Sequence, residues 1–214
     1  MYISRVELDQ ARRSTMIALA APKRLHGAVE RSFAGERKRR LWRLDYLGGK
    51  LYLLILSEDR PDLTALARQF GGNMPEIREY DSLLQRIVPN SEWHFRLTAN
   101  PTKSTLVKGE VPKRGVVKAH ITMEHQKRWL IERAEKHGFR LTEDSFTITS
   151  SKWMNFSKKA EGRETVSLLS VTFEGILQVM DAELFCRLLT HGLGRGKAYG
   201  LGMMTVIGMG QQHG

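Results

Sequence analysis

The chain has 214 residues, of which 41% are hydrophobic and 27% charged. That length holds one large domain or two small ones with ample core, and the balance is that of a globular rather than a disordered or membrane-embedded chain. The 34 Lys and Arg residues against 23 Asp and Glu leave a formal charge of +11, spread over both halves of the chain and not gathered in a tail. A folded surface with such a field attracts polyanions, nucleic acid foremost. Cys186 is the single cysteine, which excludes an internal disulfide and any Cys-rich zinc site. The longest strongly apolar run, Leu51-Tyr52-Leu53-Leu54-Ile55-Leu56, is far too short to span a bilayer. Charged residues interrupt positions 1–20, so no signal peptide, no membrane partner and a cytoplasmic location are expected.

In chain order, Ile3 to Leu8 reads as a first strand, and Pro22 opens a helix that runs to about Phe33. Trp42 to Tyr46 and Leu51 to Ser57 read as strands joined through Gly48-Gly49, a hairpin signal. Asp62 to Phe70 carries Leu63, Leu66 and Ala67 at helical spacing, with Gly71-Gly72 beyond its end. A fourth strand is expected over Leu83 to Val88, before Pro89-Asn90. The order β-α-β-β-α-β is the ferredoxin-like split βαβ arrangement.

The second half repeats the theme with an insertion. Trp93, Phe95 and Leu97 alternate with His94, Arg96 and Thr98, as in a half-buried strand. Thr122 caps a helix to His137, ended by Gly138. A hairpin is expected between Phe146–Phe156 and a strand from near Thr165. On that strand Leu169, Val171, Phe173, Leu177 and Val179 share a face, with Gly175 read as a bulge. Asp181 caps a last helix with Leu184, Phe185, Leu188 and Leu189 as its buried stripe. Gly192 stops it, Leu201 to Ile207 returns as a strand, and 211–214 reads as a tail. The expected fold is therefore α+β, two tandem ferredoxin-like domains over residues 1–89 and 91–214.

The strongest local signal is Gly192-Leu193-Gly194-Arg195-Gly196-Lys197-Ala198-Tyr199-Gly200-Leu201-Gly202. Glycines interleaved with Arg195 and Lys197 let a backbone approach a phosphate closely while cations supply charge. A flexible connection has the same composition. Ala198 after Gly196-Lys197 excludes a Walker loop, and the helix-to-strand context excludes a dinucleotide fingerprint. Basic clusters recur at 37–40, at Lys103, Lys108, Lys113, Arg114 and Lys118, and at Lys152, Lys158, Lys159 and Arg163. Each alone reads as solvated surface; several together suit phosphate contacts to a duplex. Among seven histidines, His26 stands out beside Lys23 and Arg24 with Arg31 following, cations that can stabilise a phosphorane's charge. A lone helical histidine is otherwise most often structural. No carboxylate pair, Ser-His-Asp order or metal-ligand set is apparent. For RNA chemistry, attack of a 2′-OH on its own phosphodiester needs the least equipment: a base, an acid and cations.

Several segments in order give the chain a family resemblance: Met1-Tyr2-Ile3-Ser4-Arg5-Val6, Leu25-His26, Leu41-Trp42-Arg43-Leu44, Phe95-Arg96-Leu97-Thr98-Ala99-Asn100-Pro101-Thr102-Lys103, Phe173-Glu174-Gly175 and the glycine-rich segment. Over nearly its whole length it resembles the CasE family, the repeat-cutting endoribonucleases of type I-E CRISPR systems within the RAMP superfamily. The resemblance implies two ferredoxin-like domains and a CRISPR repeat hairpin RNA as substrate, cut at the 3′ base of the stem. It implies 5′-hydroxyl and 2′,3′-cyclic phosphate ends, no metal or other cofactor, retention of the guide RNA, and partnership with other Cascade subunits. His26 falls on the family's catalytic histidine, and Arg31 where some members have a basic helper. Lys23 falls where the family carries a tyrosine; it lacks the phenol but can stabilise a charged transition state. Lys158 and Lys159 align with hairpin cations that hold the stem's phosphates, and Lys103, Gly194, Arg195, Gly196 and Lys197 complete the expected RNA-binding set. A catalytically silent hairpin-binding subunit, and an unrelated ferredoxin-like RNA-binding module, are the two rival functions.

Overall fold

The computed structural model describes residues 1–36, 38–71, 73–105, 116–157 and 165–209. The first half runs β1 (Tyr2–Leu8), α1 (Arg13–Ala20), α2 (Pro22–Arg31), β2 (Leu41–Leu47), β3 (Lys50–Ser57), α3 (Thr64–Phe70), β4 (Glu76–Glu79) and α4 (Asp81–Leu84). Its antiparallel sheet has the order β2-β3-β1-β4, the split βαβ arrangement expected. β2 and β3 close through Gly48 and Gly49, both at positive φ (56° and 78°), as a primed two-residue turn requires. Leu25, Ala28 and Val29 of α2 pack with Leu66, Ala67 and Phe70 of α3 and with Val6, Trp42, Leu53 and Ile55 of the sheet.

The second half runs β5 (Glu92–Ala99), β6 (Thr102–Thr105), β7 (Val116–Ala119), α5 (Met123–Ala134), β8 (Phe139–Arg140), β9 (Phe146–Ser157), β10 (Thr165–Val179), α6 (Ala182–His191) and β11 (Met204–Gly208). Its sheet has the order β11-β5-β10-β8, with β9 also pairing along β10, and β6-β7 forms a separate hairpin inside the expected insertion. Both long helices start at side-chain caps. Thr122 accepts from the His125 N–H and Asp181 from the Leu184 N–H.

Four expectations need correction. The fourth strand is Glu76–Glu79, not Leu83 to Val88, and pairs with β1 from Tyr2↔Glu79 to Arg5↔Glu76. With one apolar residue among three charges it is a short, charged edge, which the hydrophobic pattern does not reveal. Leu83 and Leu84 instead belong to a helical turn wedged between apolar clusters of the two halves. β10 has no bulge at Gly175: its register with β9 shifts between Thr172 and Phe173, where β9 carries the extra residue Thr149; a Cβ on Gly175 would stand 2.2 Å from the Ser145 carbonyl oxygen, so glycine is there for close approach. Leu184 is 40% exposed, outside the buried stripe of α6. α1 is an additional helix with no apolar stripe to announce it: its buried residues are Thr15 and Ala18, while Met16 and Ile17 are exposed. No helix among the described residues is long and apolar enough to cross a membrane.

Candidate functional site

α2 owes its register to Pro22 in its first turn, whose missing N–H costs nothing there. Burial of Leu25, Ala28 and Val29 turns Lys23 and Arg24 outward and leaves His26 half-buried on the flank, its Nδ1 shielded from solvent. Lys23 and His26, three apart, stand on adjoining turns of one face. Arg31 is exposed in the last turn and lies back over Gly27: a Cβ there would be 3.4 Å from its Nη1. The helix thus joins Lys23 to His26 more closely than Arg31.

The glycine-rich segment folds as a wound loop. Gly192, Gly194, Gly196, Gly200 and Gly202 all have positive φ, and Lys197–Tyr199 forms a single 3₁₀ turn between two left-handed glycines. The loop closes on itself where the Leu193 N–H donates to the Gly202 carbonyl (2.8 Å), and on β5 where the Gly202 N–H donates to the Thr98 carbonyl (2.6 Å). Arg195 is exposed and forms an isolated antiparallel bridge with Asn100. Lys197 turns back to donate to the Gly194 carbonyl at 2.9 Å; burial first, and then the Arg39 cation, hold its ammonium pKa below the ordinary lysine value.

Three candidate segments converge on the 3₁₀ turn. α2 packs directly against it. The Trp42 ring of β2 rests on Gly200, where a Cβ would stand 2.6 Å from the indole. The Phe156 ring near the end of β9 meets Tyr199, with centroids 4.8 Å apart. Between these elements opens a cleft of about 660 Å³ whose wall includes Leu25, Trp42, Arg96, Lys152, Trp153 and Tyr199.

Lys103 sits exposed on β6, directly opposite Lys118 on β7, an arrangement of like charges that suits an anionic partner. His120 follows β7 and stacks on His125, with centroids 5.9 Å apart and planes at 19°. Lys158 and Lys159, with Arg37, Lys108, Lys113, Arg114 and Arg163, lie outside the described residues. The sequence reading had Arg39 in a basic cluster and Tyr199 in the glycine-rich segment, but it did not bring Trp42 or the stack of His120 on His125 to these surfaces. In the sequence Trp42 is marked only as the first residue of a strand and as part of the segment Leu41-Trp42-Arg43-Leu44. Among the described residues no three His, Cys, Asp or Glu side chains are grouped so as to hold a metal ion.

A family model described as CRISPR associated protein matches residues 1–207. The chain is 32% identical over 219 residues to the CRISPR-associated endoribonuclease Cse3 of Thermus thermophilus, covering 96% of this chain and 99% of that protein. Its fold is similar to that of CRISPR endoribonuclease Cse3 bound to a 19-nucleotide RNA, at a TM-score of 0.81 and 28% identity over 97% of this chain and 100% of that one. It is also similar to Thermus thermophilus Cse3 bound to an RNA representing a pre-cleavage complex, at a TM-score of 0.79 and 28% identity, over 96% and 98% of the two chains.

Proposed function

Because this chain belongs to the CRISPR-associated CasE (Cse3) family, we propose that it is an endoribonuclease that cuts CRISPR precursor RNA at the 3′ base of the repeat stem-loop without a metal. The observation that carries the reading is the packing of α2, with His26 and Lys23, against the turn Lys197–Tyr199 of the glycine-rich loop. The left-handed glycines that flank this 3₁₀ turn let a phosphate approach the backbone closely, beside an imidazole and a cation. The RNA's 2′-oxygen attacks the adjacent phosphorus, forming the O2′–P bond as the P–O5′ bond breaks. The 2′-OH proton leaves and the departing 5′-oxygen gains one, giving a 2′,3′-cyclic phosphate and a 5′-hydroxyl. With Nδ1 shielded, His26 exchanges its proton through Nε2. Lys23 and Arg31 offset the charge of the pentavalent phosphorus.

The protein works in the cytoplasm as two ferredoxin-like units, residues 1–89 and 91–214. Lys103, Lys158, Lys159, Arg195 and Lys197 hold the hairpin, and the product guide RNA stays bound as other Cascade subunits assemble. A second reading, a silent hairpin-binding subunit, draws on Lys23 standing where the family carries tyrosine. Incubating the protein with its own array's repeat hairpin in excess EDTA decides between them. Cleavage with 3′ ends that resist ligation until the cyclic phosphate is removed supports the first. Tight binding with no cut establishes the second, and strict need for magnesium overturns the metal-free reaction.

A further inference from the structure

Three segments behind the family resemblance, around Arg43, Arg96 and Glu174, take no part in the reaction above, yet the fold brings their charges into one network. The Arg43 side chain is 1% exposed. Its Nε and Nη2 donate to the two carboxylate oxygens of Asp45 at 2.8 and 2.6 Å, a bidentate pair within β2. Its other bonds cross to the second half: Nη1 donates to the carbonyls of Arg96 and Met203, each at 2.8 Å, and Nη2 to Thr205 Oγ1 at 2.8 Å. Arg96 Nη1 lies 3.8 Å from Asp45 and its Nε 3.1 Å from Glu174, which also accepts from Thr149.

The acceptors on the far side define what this arginine holds. Met203 directly follows Gly202, Thr205 is the second residue of β11, and Arg96 lies in β5, the strand on which Gly202 is anchored. One residue before Arg43, Trp42 supports Gly200 and shares an apolar cluster with Leu25, the neighbour of His26. α2 and the glycine-rich loop belong to different sheets, so their relative placement depends on what crosses the seam. The apolar seam of Leu41, Leu54, Leu56, Tyr80 and Met203 tolerates small slides, because hydrophobic contact has no direction. A planar guanidinium with five directed bonds does not.

We infer that Arg43, its plane fixed by Asp45, is a positioning residue for cleavage: it sets the base of the glycine-rich loop against the helix that carries His26. The inference rests on the reaction proposed above. A lysine cannot replace it, since one ammonium cannot span the carboxylate and three acceptors together.

The test compares Arg43→Lys, Arg43→Met and Thr205→Val in single-turnover cleavage at saturating RNA, with hairpin affinity and melting temperature measured beside it. Thr205→Val removes one acceptor and leaves the Arg43–Asp45 pair intact, so a folded variant is available. The cleavage rate falls several-fold for Thr205→Val and about 10²-fold for either Arg43 variant, as expected for a reacting group displaced by roughly 1 Å. Affinity changes by less than about threefold, because phosphate contacts dominate it. In a His26→Ala background the same substitutions cost no further rate, since no placed imidazole remains to be misplaced. A wild-type protein that cuts while folded Arg43 variants cut equally fast overturns the positioning role alone, and so does an equal loss with and without His26. A wild-type protein that binds the hairpin and never cuts overturns the proposed function and this role with it.

Discussion

His120 and His125 stack with ring centroids 5.9 Å apart, and Thr122 Oγ1 lies 2.5 Å from His125 Nδ1. The stack sits among cations. Burial first, then Lys103, His125 and Arg133, push the His120 pKa below the ordinary histidine value, with Glu132 opposing. Between that lowered value and about 6.5 the unfolded chain binds more protons than the folded one, so stability rises with pH through this window. The contribution is complete above 6.5 and is lost as pH falls below it. The melting temperature of the wild type is expected to fall more steeply from pH 7.5 to pH 5 than that of His120→Asn. Parallel curves would show that His120 titrates as it does in the unfolded chain.

Gly200 is held under the Trp42 ring at φ +80°. A β-carbon there would meet the indole at 2.6 Å, and a left-handed L-residue costs about 1–2 kcal/mol before any clash. Gly200→Ala is therefore expected to lower stability by about 2 kcal/mol or more and to reduce cleavage in the folded fraction. Trp42→Leu in the Gly200→Ala background relieves the clash but not the backbone strain. The double variant is expected to lose less than the sum of the single losses. Strict additivity in thermal melts would mean the ring and the loop do not press on each other.

Much of this arrangement was legible from residues with a local physical reason. Gly48-Gly49 announced the first hairpin, Thr122 and Asp181 the starts of α5 and α6, and Pro22 the start of α2. The glycines of residues 192–202 announced a tight loop, and all five adopt positive φ. What was not legible depended on partners far along the chain. β4 is a strand because β1 offers it an edge, not because Glu76-Ile77-Arg78-Glu79 has a pattern of its own. Arg43 stands in the sequence only as part of a strand and of the segment Leu41-Trp42-Arg43-Leu44, with nothing to mark its side chain as buried. The Asp45 carboxylate together with the acceptors on Arg96, Met203 and Thr205 makes its burial tolerable. Lys197 reads as a free phosphate ligand, but its ammonium is turned onto the Gly194 carbonyl. That Lys197 also braces the loop is a matter of geometry that spacing does not contain.

Lys158→Ala together with Lys159→Ala is expected to weaken hairpin binding and flatten its salt dependence. Each lost phosphate contact reduces the log–log slope by roughly 0.7–0.9. Preference among hairpins of different sequence is expected to persist, since phosphate contacts position more than they specify. Titrations at several salt concentrations that return the wild-type slope would remove both lysines from the RNA surface. Arg195→Ala and Lys197→Ala require a melting curve beside the affinity, because Lys197 also braces the loop.

His26→Ala bears most directly on the chemistry. The residue sits half-buried on α2 beside Lys23, with its Nδ1 shielded and the helix packed against the glycine-rich turn. A positioned general acid or base contributes roughly 10²–10⁴ in rate, equivalent to about 3–5 kcal/mol of barrier. Single-turnover cleavage is therefore expected to fall by that factor while hairpin affinity stays within about tenfold, since the cations that dominate binding are untouched. A 2′-deoxy substitution at the nucleotide preceding the cut removes the nucleophile, so it is expected to stop the wild type and leave binding nearly intact. Normal cutting by His26→Ala would make the histidine structural and send the search for the acid and base to the other groups around the loop. Cutting of the deoxy substrate would make water the nucleophile, and the transesterification would then be replaced by hydrolysis.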